Sequence, residues 1–464
     1  MKYFTFLFLL SLLTLWSCKQ ETNTSSRVAE LPAEKPVKVL ANGLPDWAVN
    51  ANIYEVNIRQ YTPEGTLSAF TTHLPRLKEM GVDILWLMPI NPISEEKRKG
   101  SMGSYYAVDD YKKVNPEFGT DEDLKNLIRK AHDLDMYIIL DWVANHTGWG
   151  NPWIKEHPDW YTHRNDTIIH PLDESGELTD WYDVADLNYE KQEMRAAMID
   201  ALAYWVDSFN IDGYRCDVTW GVEDAFWKEA WEKLRKKKAL FTLAEAESPG
   251  DRDSAGFNMS YAWSLHHRLN EIAKGEEDVN AIDEWLKEDR ATFPQDKGFH
   301  MQFTSNHDEN SWNGTVFERM GDGHKAFAVL TATFDGMPLI YSGQEEPMRK
   351  RLRFFEKDTI GFSNYAYADF YKKLLNLKKE EKALWNGKYG GEPVRINESE
   401  TVYAFKREKD DSKVVVIINL SDQSQDFSLT ESFEGLTEVF SGVKMNLPAG
   451  EVIKLRPWAY LALH

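Results

Sequence analysis

Four carboxylates of this chain stand at or just beyond the ends of short apolar runs. Asp141 follows Tyr137-Ile138-Ile139-Leu140, Asp217 follows Gly213-Tyr214-Arg215-Cys216, Glu245 follows Phe241-Thr242-Leu243-Ala244, and Asp308 stands in Asn306-His307-Asp308 beyond Met301-Gln302-Phe303. Grouped carboxylates suit hydrolysis of a glycosidic bond. With retention of configuration, one acts as nucleophile and a protonated one as acid, about 5 Å apart across the sugar. Asp217 is the candidate nucleophile: Arg215 lies two residues earlier on the same strand face, so its guanidinium orients the carboxylate and holds it ionised. Glu245 is the candidate acid, with partial burial and neighbouring carboxylates favouring its protonated form; Glu247 satisfies nearly the same spacing. Asp308 is a third carboxylate, able to grip sugar hydroxyls as positive charge develops at the anomeric carbon. Taken singly, each is as readily a cap or a salt-bridge partner, so the set carries more weight than its members.

Bringing these groups together requires a scaffold. From Ile53 onward short apolar runs alternate with amphipathic stretches, the pattern of repeated β-α units around a parallel sheet. Runs such as Ile84 to Met88, Ile211 to Cys216 and Leu339 to Tyr341 suit strands buried on both faces. Leu124, Leu127, Ile128 and Ala131 share one helix face after a Thr120 N-cap, and Met194, Met198, Leu202, Trp205 and Phe209 share another. A further helix, with Leu67, Phe70, Leu74 and Leu77 before Gly81, contains Pro75, which must kink it or mark a later start. The expected fold is α/β, a (β/α)8 TIM barrel over residues 44–387, whose C-terminal strand ends form one rim where the four carboxylates converge. Residues 145–188 interrupt the alternation for longer than an ordinary loop and read as a small inserted domain after strand three. From 388 to 464, strand-like runs without helical stretches between them predict a C-terminal antiparallel β-sandwich domain.

The order of these motifs carries a resemblance. Asp141-Trp142-Val143-Ala144-Asn145-His146, Gly213 to Asp217, Glu245 and Asn306-His307-Asp308 resemble the four signature regions of glycoside hydrolase family thirteen, the α-amylase family. Asp186-Leu187-Asn188 resembles a fifth region, and Ser104 to Tyr111 with Phe118-Gly119-Thr120 resembles the stretch after the second strand. The likeness covers essentially the whole chain from about Leu44. It implies Asp217 as nucleophile, Glu245 rather than Glu247 as acid/base, and Asp308 as stabiliser of the transition state. It also implies that Tyr106 stacks on the glucose at the cleavage site, that His146 and His307 hydrogen-bond its hydroxyls, and that Asp141 and Arg215 brace the site. No cofactor or catalytic metal is required. Where many members carry Lys-His shortly after the nucleophile, this chain has Val218-Thr219-Trp220-Gly221. That departure removes a contact to sugar beyond the cleavage point and a main-chain ligand for a structural calcium. Asn145 and Asp186 remain, either as oxygen donors to such an ion or as ordinary hydrogen-bonding groups. Trp149, Trp153, Trp160 and Trp181 in the insert are either glucan platforms or insert core.

Composition narrows the partners. Lys and Arg number 54 against 75 Asp and Glu, a formal net charge of -21. That balance repels nucleic acid and anionic headgroups and is compatible with a neutral α-glucan. Met1-Lys2-Tyr3, the apolar stretch Phe4 to Leu13 and then Leu15-Trp16-Ser17-Cys18 have the layout of an export signal, too short to span a bilayer. Its end resembles a bacterial lipoprotein signal, which implies removal of residues 1–17, acylation of Cys18, a tether over 18–43 and a place on the cell envelope, periplasmic side or cell surface. The other cysteine, Cys216, lies in a predicted buried strand and reads as a small core residue.

The leading functional expectation is endo-hydrolysis of α-1,4-glucan in starch, glycogen or maltodextrin. A 4-α-glucanotransferase or a maltooligosaccharide-trimming enzyme uses the same carboxylates and differs in its outer subsites. A catalytically inactive glycan-binding barrel is the alternative of another class, and its mark is a lost carboxylate.

Overall fold

The computed structural model describes Met1 and residues 37–40, 43–173, 175–247 and 254–464. The expected signal peptide, Cys18 and most of the expected tether lie outside the described residues. Eight parallel strands close into the expected barrel: β1 (Ile53–Val56), β2 (Ile84–Leu87), β3 (Tyr137–Val143), β4 (Gly213–Asp217), β5 (Phe241–Ala244), β6 (Met259–Tyr261), β7 (Phe299–Gln302) and β8 (Met337–Tyr341), with β8 returning to β1.

The period of two along each strand divides its side chains between two cores. Ile53, Ile84, Ile139, Leu243, Met301 and Leu339 fill the barrel interior, whereas Tyr54, Leu85, Ile138, Tyr214 and Ile340 face the surrounding helices. This division positions the site. Glu55, Asp141 and Glu245 each lie two residues beyond an inward-pointing Ile53, Ile139 or Leu243, so they also turn inward, at the C-terminal rim. Strands β3 and β4 pair with Asp141 opposite Arg215 and Val143 opposite Asp217. Gly213 opens β4 because a Cβ there would lie 2.0 Å from the Phe241 carbonyl oxygen on β5.

The helices follow their local signals. Thr120 caps Asp121–Asp133 in a reciprocal pair with Asp123, and Leu124, Leu127, Ile128 and Ala131 form the buried face. Pro75 does not kink a helix. It occupies the first turn of Leu74–Met80, separate from Leu67–Thr71, where the missing N–H has no partner to lose. Gly81 ends that helix with φ 98°, a left-handed cap. The structure departs from the sequence expectation at β6. Met259-Ser260-Tyr261 is too short and too polar for an apolar run, and it becomes a strand through pairing with β5 and β7.

Between β3 and β4, His146–Gly148 pairs antiparallel with Val184–Asp186, and His163–Arg164 pairs with Thr167–Ile168. These ribbons make up the segment inserted over the rim. After the barrel, Val394–Arg395, Val402–Lys409, Ser412–Asn419 and Tyr460–Leu463 form a four-stranded antiparallel sheet with two small ribbons beside it. Val402, Val415, Phe427, Leu447 and Leu463 form its separate core. Arg407, fully buried on that sheet, donates to the carbonyls of Thr333 and Phe334 at 3.2 and 2.6 Å and ties the sheet to the barrel.

Candidate active site

The rim residues enclose one cleft of about 570 Å³, lined among others by Tyr106, His146, Asp217, Glu245, His307 and Asp308. Arg215 lies at its floor without solvent exposure. Its Nη1 is 2.8 Å from Asp141 Oδ1 and 3.0 Å from Asp217 Oδ1, and its Nη2 is 2.5 Å from Glu245 Oε1. Its Nε donates to Tyr261 Oη at 3.2 Å. From the sequence this guanidinium is expected to serve Asp217 and to hold it ionised; the structure divides it among three carboxylates. Burial first, and then the charge of Glu245, push the Asp217 carboxyl well up against the pull of Arg215. Burial raises Asp141 as well. With one buried cation between them, Asp141 and Asp217 both hold their protons more firmly than free carboxyls do.

The two candidate acids separate clearly. Glu245 faces the cleft, and its Oε2 accepts from the Val218 backbone N–H at 2.8 Å. Glu247 accepts from Ser264 N and Ser264 Oγ at 2.8 and 2.6 Å, in the first turn of helix Trp263–Lys274, where a carboxylate complements the helix dipole. Val218 has φ 45° and ψ 52°, a left-handed conformation that costs a β-branched residue about 1–3 kcal/mol. That turn aims its N–H at Glu245.

His307 links the other half of the rim. Its Nδ1 lies 2.5 Å from Glu55 Oε1, and its Nε2 lies 3.2 Å from Asp308 Oδ2 and 2.9 Å from Tyr106 Oη. Burial acts to lower its pKa, but the carboxylates of Asp308 and Glu55 outweigh burial and lift it to about 9. His307 is thus a second cation at neutral pH. Because its folded value lies above its unfolded one, the stability it contributes is complete below about pH 6.5 and is lost as pH rises through about 9, on the order of 3 kcal/mol in all. Urea unfolding of the wild type and His307→Gln should give a stability gap that is largest near pH 6 and shrinks by pH 9.5. A gap independent of pH would show that the histidine acts through packing alone.

Tyr106 Oη donates to Asp141 Oδ2 at 3.1 Å, and Trp86 Nε1 donates to the same oxygen at 3.0 Å. The Tyr106 ring is stacked beside His307, with centroids 5.6 Å apart. His146 is buried with its Nδ1 3.2 Å from Asn145 Nδ2, and burial lowers its pKa to about 3. It is a neutral hydrogen-bonding group. Of the four tryptophans in the insert, Trp181 lines the cleft. Trp149 donates to the Tyr182 carbonyl at 2.9 Å and packs under Lys97, Trp153 packs against Tyr111 and edge to face with Trp160 at 5.1 Å, and Trp160 stacks on His157 at 3.9 Å; these three join the insert to itself and to the barrel loops beside it.

Glu55, Trp86, Tyr261 and the aromatic wall of Trp312 and Phe354 belong to the site but were not among the sequence candidates. Glu55 leaves a signal, a lone carboxylate in the apolar run Ile53-Tyr54-Glu55-Val56. Trp312 and Phe354 lie outside the regular elements expected from periodicity and leave none. Of the two oxygen donors considered for calcium, Asp186 has its carboxyl lifted by burial to about 6, and Asn145 lies with its Nδ2 against His146 Nδ1.

A model of the α-amylase catalytic domain matches residues 40–384. The α-amylase MalA of Haloarcula japonica is 27% identical over 421 residues, covering 86% of this chain, which spans 59% of that protein's length. Among solved structures, a maltogenic α-amylase, AmyB, from Thermotoga neapolitana superposes with a TM-score of 0.78 at 27% identity, covering 89% of this chain and 98% of that one. An α-amylase from Lactobacillus plantarum superposes with a TM-score of 0.79 at 28% identity, covering 90% and 99%.

Proposed function

The chain belongs to the α-amylase family of glycoside hydrolases, and from that premise we propose that it hydrolyses α-1,4-glucosidic bonds of starch, glycogen or maltodextrins with retention of configuration. The observation that carries this reading is the convergence of Asp217 and Glu245 on one buried guanidinium, with Asp308 and His307 across the same cleft. Asp217 attacks the anomeric carbon while Glu245 passes a proton to the departing glycosidic oxygen, leaving a glycosyl ester on Asp217. Glu245 then takes a proton from water, which attacks the same carbon and releases Asp217, so two inversions restore the configuration. Asp308, exposed over about a third of its side chain, faces the developing positive charge. His146 and His307 offer hydrogen bonds to the hydroxyls of the reacting sugar, and the Tyr106 ring offers it an apolar face. Likeness to the maltogenic AmyB favours a second reading, trimming of malto-oligosaccharides by the same steps.

Incubation of the soluble protein with maltoheptaose should yield shorter maltooligosaccharides alone, equally with and without a chelator. Products longer than the substrate would indicate transfer to sugar in place of water. Loss of activity on chelation would restore the calcium site. We also place the protein on the cell envelope through acylated Cys18, supported by the signal layout alone. A fatty-acid probe should label the wild type in cells, and continued labelling of Cys18→Ala would overturn that placement.

A further inference from the structure

One end of the cleft is bridged. The segment from Ser94 to Gly103, which runs directly into Ser104 and Tyr106, is fastened on two sides. Towards the loop after β8, Glu356 accepts from the Ser101 N–H at 3.0 Å and from Ser101 Oγ, and the Phe355 carbonyl accepts from Met102 N at 3.0 Å. Gly100, at φ 61°, lies so close to that loop that a Cβ would meet Phe355 Cβ at 2.5 Å. Towards the insert, Ser94 Oγ accepts from Gly150 N at 2.7 Å, and Lys99 Nζ donates to the Asp180 carbonyl at 2.9 Å and pairs with Asp183 Oδ1 at 3.1 Å. Lys99 and Asp183 retain 15% and 5% side-chain exposure, and both line the cleft.

The bridged end lies on the side of the cleft that holds Tyr106. The strap is continuous with Tyr106, and the Phe354 ring, next in sequence to the Phe355 it fastens to, lies nearly parallel to Tyr106 at 6.2 Å. Glu245, which must meet the leaving oxygen, makes its polar contacts to Arg215, Val218, Thr219 and Cys216, none of them on the strap. A largely desolvated ion pair adds little to stability in itself. Set in a wall shared with Trp181, Trp312 and Phe354, the Lys99–Asp183 pair supplies a donor and an acceptor where apolar rings would otherwise face sugar hydroxyls.

We propose that the Ser94–Gly103 strap makes the glycone end a blind pocket, so that the enzyme trims α-glucans from the non-reducing end, with Lys99 and Asp183 meeting the hydroxyls of the terminal sugar. This inference rests on the α-1,4-glucan hydrolysis proposed above, and it replaces the internal cutting expected from sequence. The test compares 4-nitrophenyl α-maltoheptaoside with the same substrate carrying an ethylidene acetal across O4 and O6 of its non-reducing glucose, products being separated by chromatography. The blocked substrate should be cleaved slower by on the order of 100-fold, because the block cannot enter a pocket built around free hydroxyls. Equal rates overturn the blind pocket and leave the hydrolase reading standing; cleavage of neither substrate overturns that reading and the pocket with it. Glu356→Ala, which removes both hydrogen bonds to Ser101 without touching the lining of the cleft, should narrow the difference between the two rates. If that variant discriminates as the wild type does, the Ser101–Glu356 fastening is not what keeps the end closed.

Discussion

Asp217→Asn is expected to lower kcat by on the order of 10⁴-fold or more while leaving maltoheptaose affinity within a few-fold of the wild type. The amide is close to isosteric, and its oxygen can still accept from Arg215 Nη1, which lies 3.0 Å from Asp217 Oδ1. What it lacks is the charge that forms the bond to the anomeric carbon. The substitution also removes one negative charge from a floor where Asp141, Asp217 and Glu245 share a single guanidinium. The variant should therefore be at least as stable as the wild type, so a loss of turnover cannot be ascribed to unfolding. Calorimetric titration and steady-state rates on one preparation check both halves. A kcat near the wild-type value would remove Asp217 from the nucleophile's role. Glu247→Gln is the natural control: its carboxylate is taken up by Ser264 at the start of a helix, and its loss should leave kcat nearly unchanged.

The rim was largely legible because periodicity and burial both act locally. A residue two positions beyond an inward-pointing apolar side chain must also point inward, so Asp141 and Glu245 could be placed from the runs that precede them. The break before Leu74–Met80 was legible only as one of two alternatives, a kink at Pro75 or a later start, and the structure takes the later start because Pro75 fits a first turn. Pairwise electrostatics were not. Arg215 is in line with Asp217 on its own strand, but its sharing with Asp141 and Glu245 depends on the register of β3 against β4 and on the approach of β5. The third strand partner of that floor, Tyr261, comes from β6, a strand made by its neighbours rather than by its own residues. The strap was invisible for the same reason: nothing in Ser94 to Gly103 shows which loops it will join.

Arg215→Ala should destabilise the fold by about 3–5 kcal/mol at neutral pH, because it leaves Asp141, Asp217 and Glu245 without their buried cation. The pH dependence identifies the cause. In the variant Asp141 and Asp217 will be driven further up than in the wild type, where burial already raises both. A carboxyl whose folded pKa exceeds its unfolded one binds protons on folding, so folding is favoured as pH falls. The stability gap between wild type and Arg215→Ala should accordingly be widest near pH 8 and narrow towards pH 4, as measured by urea unfolding across that range. A gap of constant size would mean that lost packing, not stranded charge, explains the damage. Arg215→Lys separates charge from geometry. An ammonium restores a cation but cannot span three carboxylates and the Tyr261 hydroxyl with a planar fork. It should recover much of the stability, yet kcat should stay down on the order of 10³-fold, since Asp217 and Glu245 would no longer be held at their set separation across the sugar. Recovery of both by lysine would reduce Arg215 to a counter-ion. Recovery of stability alone would establish that its fork sets the geometry on which the two carboxyls depend.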